Sequence, residues 1–272
     1  SSAGARADLD TALLPVFSSI PSDADLAAIK KGVEAAIGRN FATALAAEKS
    51  VRDATGRKLV HWFLMKSRDF SASPRERESF RKANPDWPGE DIRAAAEEGL
   101  LTSGVDPVAV LSFFKTDGPR TGAGKAALAA ALLATGDRTR ATAIARAGWR
   151  EDTMSGSVED AFLAATGGII TAADHKARVD RILYADSRWD AVRGERIGVV
   201  RRLLKHLGPL ERAKAEARLA VYRCIKGRCL GAAKTLMLKL PAAARDDPGV
   251  IYHRVQLMRR SGKERDAWSL LL

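Results

Sequence analysis

A turn glycine followed five residues later by a small alanine occurs three times in this chain, and it limits the fold more than any other feature. Leu132-Leu133-Ala134-Thr135-Gly136 precedes Ala141, Tyr222-Arg223-Cys224-Ile225-Lys226-Gly227 precedes Ala232, and Leu257-Met258-Arg259-Arg260-Ser261-Gly262 precedes Ala267. Each reads as a helix stopped at a glycine that takes left-handed backbone without penalty, followed by a second helix. The alanine falls where two antiparallel helices approach closest and a larger side chain would push them apart. Gly227 and Gly262 lie 35 residues apart, close to the period of helix-hairpin repeats. Such units bury their apolar faces only by stacking, so an all-α helix-hairpin solenoid is the expected fold, with a concave surface suited to something long or large.

The make-up of the chain agrees. Hydrophobic residues are 46% of the 272 but aromatics only 6%, with alanine supplying much of the apolar count. That favours close-packed helices over sheets, and no alternating β-branched and aromatic run predicts a strand. No apolar stretch of about 18 residues is present, so no transmembrane segment is expected. The start, Ser1-Ser2-Ala3-Gly4-Ala5-Arg6, lacks the apolar core of a signal peptide and reads as a mature or trimmed end. Lys and Arg outnumber Asp and Glu 45 to 33, a formal charge of +12. This attracts polyanions, whether nucleic acid, anionic lipid or a cell-wall polymer, or it is simply a basic solvated surface. The basic residues are dispersed, with Arg201-Arg202 and Arg259-Arg260 the only Arg pairs, and no signature of sequence-specific nucleic-acid reading occurs.

Capping residues and breakers divide the chain into helices. Ser22 or Asp23 caps a helix whose buried face is expected at Leu26, Ile29, Val33 and Ile37. After Gly38 a second helix carries Phe41, Leu45 and Val51 inward, and a third follows Gly56 with Leu59, Trp62, Phe63 and Met65 inward. Residues 71–88 are irregular apart from a short helix around Arg75 to Lys82, because Pro85 and Pro88 force the residues before them into extended conformation. Helices are then expected over Glu90 to Leu101, from Asp106-Pro107 with Val110 and Phe113 inward, over Thr121 to Thr135, Arg138 to Arg150, Val158 to Ala165, Thr171 to Tyr184 and Trp189 to Val200, around Gly227, and over Ile251 to Leu272. The apolar end Trp268-Ser269-Leu270-Leu271-Leu272 has no polar cap, so the expectation is one α-superhelical domain over 1–272, TPR-like and incomplete at its C-terminus.

Chemical motifs fail on inspection. In Gly118-Pro119-Arg120-Thr121-Gly122-Ala123-Gly124-Lys125 the first glycine lies six positions before Gly124 rather than five, and Ala126 stands where a P-loop needs Ser or Thr. His61, His175, His206 and His253 fall in separate helices with no nucleophile elbow nearby. Asp174-His175 reads as a helix start, and the pairs Glu97-Glu98 and Asp246-Asp247 as solvated carboxylates. No catalytic, cofactor or metal site is expected. The two cysteines, Cys224 and Cys229, flank the turn at Gly227. They are compatible with a disulfide in an oxidising compartment and with two buried thiols in a reducing one; a lone C-x4-C lacks a second pair for zinc.

Several stretches taken in order resemble one family. These are Asn84-Pro85-Asp86-Trp87-Pro88, Phe113-Phe114 followed by Gly118 to Lys125, Trp149-Arg150-Glu151, and Asp174-His175-Lys176-Ala177-Arg178-Val179-Asp180-Arg181-Ile182-Leu183-Tyr184. Over some 110 residues they are similar to the N-terminal superhelical (U-type) region of alphaproteobacterial soluble lytic murein transglycosylases. Tyr252-His253-Arg254 departs from the family pattern. The resemblance implies a periplasmic enzyme that cleaves MurNAc-GlcNAc β-1,4 bonds of peptidoglycan without water, leaving 1,6-anhydromuropeptides. One Glu serves there as acid and then base, in a Glu-Ser pair of a separate lysozyme-like domain followed by Gly-Leu-Met-Gln. The only Glu-Ser in this chain, Glu78-Ser79, lies in a charged helix without that sequel and is rejected. The resemblance therefore assigns this chain the scaffold, with the catalytic domain lying outside it, peptidoglycan glycan strands as partner, Trp87 as a candidate glycan contact, and a setting that favours a Cys224 to Cys229 disulfide. The alternative expectation is a non-enzymatic helical-repeat protein that binds a protein or a polyanion.

Overall fold

A computed structural model describes residues 20–185 and 190–268, and the described residues form fifteen α-helices and no strand. Trp189 and the apolar end beyond Trp268 lie outside the described residues. The chain divides into two compact units, Ser1–Ser103 and Gly104–Leu272. The first holds α1 (Asp23–Ile37), α2 (Phe41–Ser50), α3 (Ala54–Lys66), α4 (Pro74–Ala83) and α5 (Glu90–Thr102). The second holds α6 (Pro107–Phe113), α7 (Gly122–Ala134), α8 (Arg138–Glu151), α9 (Gly156–Ala165), α10 (Ala172–Tyr184), α11 (Asp190–Leu203), α12 (Pro209–Arg223), α13 (Cys229–Leu238), α14 (Pro248–Arg260) and α15 (Glu264–Trp268). Short 3-10 turns stand at Leu204–His206 and Ala242–Ala244. Within each unit, every substantial contact between α-helices joins helices that are neighbours or next-but-one along the chain.

Local chemistry sets the helix starts. The Ser22 hydroxyl accepts from the Asp25 amide, Asp106 from Ala109, and Thr121 from Gly124; each side chain satisfies a donor that the first helical turn leaves without a partner. Ser73 and Glu76 cap one another's backbone at the start of α4, followed by Pro74. As expected, the backbone from Asn84 to Gly89 is non-helical.

Gly136, Gly227 and Gly262 all take left-handed backbone. After Gly136 and Gly262 the closure is the same: Asp137 N bonds Leu132 O and Lys263 N bonds Met258 O, reaching back five residues. A third closure of this kind, hidden from a glycine-based reading, ends α1. Arg39 takes φ 62°, Asn40 N bonds Ala35 O, and Ala44, five residues past Arg39, is fully buried. Ala141 and Ala267 are buried as predicted, but Ala232 is exposed and Ala233 takes the buried place. The connection explains the shift: three residues join the helices at Gly136 and Gly262, five at Gly227.

Other expectations also need correction. Leu26 and Ile37 are 48% and 65% exposed, Ile29 and Val33 are half-buried, and the buried positions of α1 are Asp25, Gly32 and Ala36. Small residues take that face because α3 comes so close that a Cβ at Gly32 would stand 2.8 Å from Val60. Leu45 is likewise exposed, with Ala44 and Ala47 buried on α2. Helix α3 starts at Ala54 rather than after Gly56, since Asp53 caps it and Gly56 is buried inside its first turn. Trp62 and Phe63 are half-buried while Val60 and Leu64 fill the core. Glu97 is not solvated; it is fully buried against Arg93 at 2.8 Å. Asp247, also expected in solvent, caps α14 and pairs with Lys214 at 3.0 Å.

Candidate functional site

In the first unit, helix α3 presents three aromatic and basic side chains on consecutive turns. Lys58, Trp62 and Lys66 are four residues apart, so they share one face. The Trp62 indole N–H donates to the Pro88 carbonyl at 2.7 Å, and this bond draws the Pro85-to-Gly89 segment onto α3. Trp87 thereby meets Trp62 edge to face, 6.3 Å between ring centroids, and Phe63 packs edge-on to Trp62 at 4.9 Å. The Lys66 ammonium stands 4.4 Å from the Trp62 ring centre and 5.1 Å from that of Phe63, and Lys58 stands 5.9 Å from that of Trp87. Cations over indole rings are held by the ring quadrupole. All three aromatics are half-buried.

This surface borders an open cleft of about 540 Å³ whose walls include Phe63, Lys66, Arg39, Arg68, Asp69 and Asp91. Lys66 also pairs with Asp91 at 3.6 Å, and Arg39 with Asp69 at 3.1 Å. Arg39, Asp69 and Asp91 are exposed and Lys66 is half-buried; such pairs near the surface are weak, so a ligand carboxylate or hydroxyl can exchange into them. The arrangement is one of recognition: apolar ring faces and edges beside cationic donors, able to hold a polar ligand that has apolar faces. Trp87 is thus not an isolated stacking platform but one member of a cluster, whose other tryptophan was assigned to the core.

The other singled-out residues have structural surroundings. Glu78 receives Arg81 at 2.7 and 2.9 Å and lies 3.3 Å from Arg93. Burial alone would push its carboxyl up, but the hydrogen bond from Arg81 and the charges of Arg93 and Arg81 outweigh it and hold it below the usual range. A catalytic acid needs the opposite shift. The Gly118-to-Lys125 stretch caps α7 through Thr121, and its Gly122, Ala123 and Gly124 are buried. Met154 fills the space where a side chain at Gly122 would lie, and Lys125 is paired with Asp152 at 2.8 Å. Cys224 and Cys229 are joined as a disulfide with their Cα atoms 5.8 Å apart.

Two stretches distant in sequence, Trp149-Arg150 and Asp174-to-Tyr184, meet in the second unit. Asp174 accepts from the Thr171 amide and hydroxyl and from Arg150. Burial works against its ionisation, yet these donors hold the carboxyl below the usual range. The Arg178 guanidinium donates to the carbonyls of Trp149 and Asp152 and to Glu159, which also receives Arg202. His175 lies edge-on to the buried Trp149 ring and stacks on His206 at 4.5 Å. Sequence spacing gives no sign of this histidine pair. Burial, reinforced by the neighbouring His206, pushes His175 down to about 4, and burial also lowers His206. Uncharged at neutral pH, the stacked pair is a packing element. No metal-holding group of three or more His, Cys, Asp or Glu occurs among the described residues.

No protein-family model matches the chain, and no match is found among curated proteins or among solved structures.

Proposed function

We propose that this chain is the glycan-holding scaffold of a peptidoglycan lytic transglycosylase, periplasmic, with the bond-cleaving domain lying outside it. Its helix hairpins are read as TPR-like units stacked into a superhelix. The observation that carries the functional reading is the Lys58, Trp62, Lys66 and Trp87 cluster beside the cleft. Half-buried indoles offer apolar surface to sugar rings, and the ammonium groups suit the carboxylates of peptidoglycan stems. The contact pattern of neighbours and next-but-one supports the stacked reading, since repeat arrays are built that way. So does the meeting of Trp149-Arg150 with Asp174-His175, two of the stretches on which the resemblance rests.

Cosedimentation with purified sacculi tests it. The wild-type chain should bind, and Trp62→Ala with Trp87→Ala should lower the affinity at least tenfold while leaving helicity unchanged. Absence of sacculus binding, together with salt-sensitive binding to DNA, would instead favour the non-enzymatic helical-repeat reading.

A further inference from the structure

The last helices of the second unit enclose a groove independent of the proposed glycan surface. Helices α13 and α14, with the start of α15, wall a cavity of about 390 Å³. Its floor is apolar, formed by Met237, Leu240, Val250 and Leu257, all buried. Leu238 stands at its edge, 71% exposed. The rim carries Lys234, Arg245, Arg254 and Lys263 against one carboxylate, Asp266.

These four cations differ from their neighbours. Lys214 is held by Glu211 and Asp247, Arg218 by Asp180, and Arg260 by the carbonyls of Val221 and Cys224. None of the four rim cations forms an ion pair among the described residues. Four like charges around apolar floor residues repel one another, and a partner bearing carboxylates relieves that repulsion and gains steering. The walls are helices, so there is no strand edge for an extended peptide to join. Of the peptide-recognition modes, a helix laid in a groove fits such walls, and Met237 and Met258 supply adaptable surface for its apolar anchors.

We infer that this groove binds an amphipathic helix of another protein, with apolar residues at i, i+3, i+4 and i+7 flanked by Asp or Glu. The inference does not rest on the glycan reading. A displayed library of about 16-residue helices, with Leu, Ile or Met fixed at the four anchor positions and the flanking positions randomised, tests it. Selection on the wild-type chain should enrich Asp and Glu at the flanks. The selected helix should bind at least 100-fold more weakly to the variant carrying Lys234→Glu, Arg245→Glu, Arg254→Glu and Lys263→Glu. Leu238→Asp, a single change at an exposed position, should weaken it at least tenfold with the fold intact. Neutral or basic flanks, or equal binding by the charge-reversed variant, would overturn the inference. So would a selection without binders in which dodecyl phosphate saturates the wild-type chain, an outcome that makes the groove a site for an anionic amphiphile.

Discussion

Between Ala134 and Arg138 the hairpin α7–α8 turns in three residues, whereas α12–α13 takes five between Arg223 and Cys229. Both contain a left-handed glycine, and both have an alanine five residues beyond it. In α7–α8 the backbone closes itself: Gly136 N bonds Leu133 O, Asp137 N bonds Leu132 O, and Asp137 caps the Arg140 amide. At α12–α13 the end of the first helix is satisfied from outside, by the Arg260 guanidinium on the Val221 and Cys224 carbonyls at 2.7 and 2.9 Å, and the loop is tied by Cys224–Cys229. A left-handed glycine therefore marks the turn but does not fix the register of the second helix. Loop length and the source of the capping hydrogen bonds do that, and they move the buried alanine from 232 to 233.

The largest effect on this comparison should come from acid. His175 supports the α8 side through Trp149, with His206, Lys205, Asp174, Arg178 and Glu159 around the pair, while His253 accompanies α12, with Arg218, Asp180 and Arg260 nearby. Burial lowers both His175 and His253 to about 4, against about 6.5 for an unfolded histidine. Above 6.5 neither state binds the proton and the full stability is present. As pH falls from 6.5 towards 4 the unfolded chain takes up protons that the folded chain refuses, so stability drops by of the order of 3 kcal/mol per ring. Urea unfolding at pH 7 and 4.5 should show this loss, and His175→Asn and His253→Asn should each flatten part of it. A profile flattened by only one of them would make the two hairpins unequal in acid.

Next in size is the register itself. Leucine at the fully buried Ala141 overpacks the α7–α8 crossing and should cost about 2–3 kcal/mol. Ala232→Leu, at an exposed position, should stay within about 0.5 kcal/mol, with Ala233→Leu restoring the penalty. Urea midpoints decide it, and a costly Ala232→Leu would erase the register difference. Reduction of Cys224–Cys229 should then cost about 2 kcal/mol from loop entropy. Amide exchange should accelerate across α12 and α13 while α7 and α8 keep their protection. The smallest effect concerns Arg39, which closes α1–α2 from a conformation that favours glycine. Arg39→Gly should raise the stability of the first unit by about 0.5–1 kcal/mol, and Gly136→Arg should lower that of the second by a similar amount, both read by thermal unfolding.

Helix boundaries were legible because capping is local: Asp106-Pro107, Thr121 and Ser22 act within their own turn. The buried faces were less so. Hydrophobicity pointed to Leu26 and Ile37, but the proximity of α1 and α3 selects Gly32 and Ala36, and that proximity is a property of two helices at once. Buried Glu97 and half-buried Asp247 escaped for a related reason, since a paired carboxylate looks solvated until its partner is in place. At the candidate site the residues themselves gave only that the proline-rich segment around Trp87 is non-helical; Trp87 as a glycan contact came from the family resemblance. Its pairing with Trp62 was not legible, because the bond that brings them together is accepted by a backbone carbonyl, which every residue has.

Arg77 of α4 gives its guanidinium to four carbonyls of the preceding segment, those of Met65, Ser67, Phe70 and Ala72. A lysine offers three donors from a single point and cannot span them. One side chain thus ties the segment from the end of α3 to the start of α4 at four points, and Arg77→Lys should loosen all four together, read as faster proteolysis of the segment as a unit. That side chain serves as the latch.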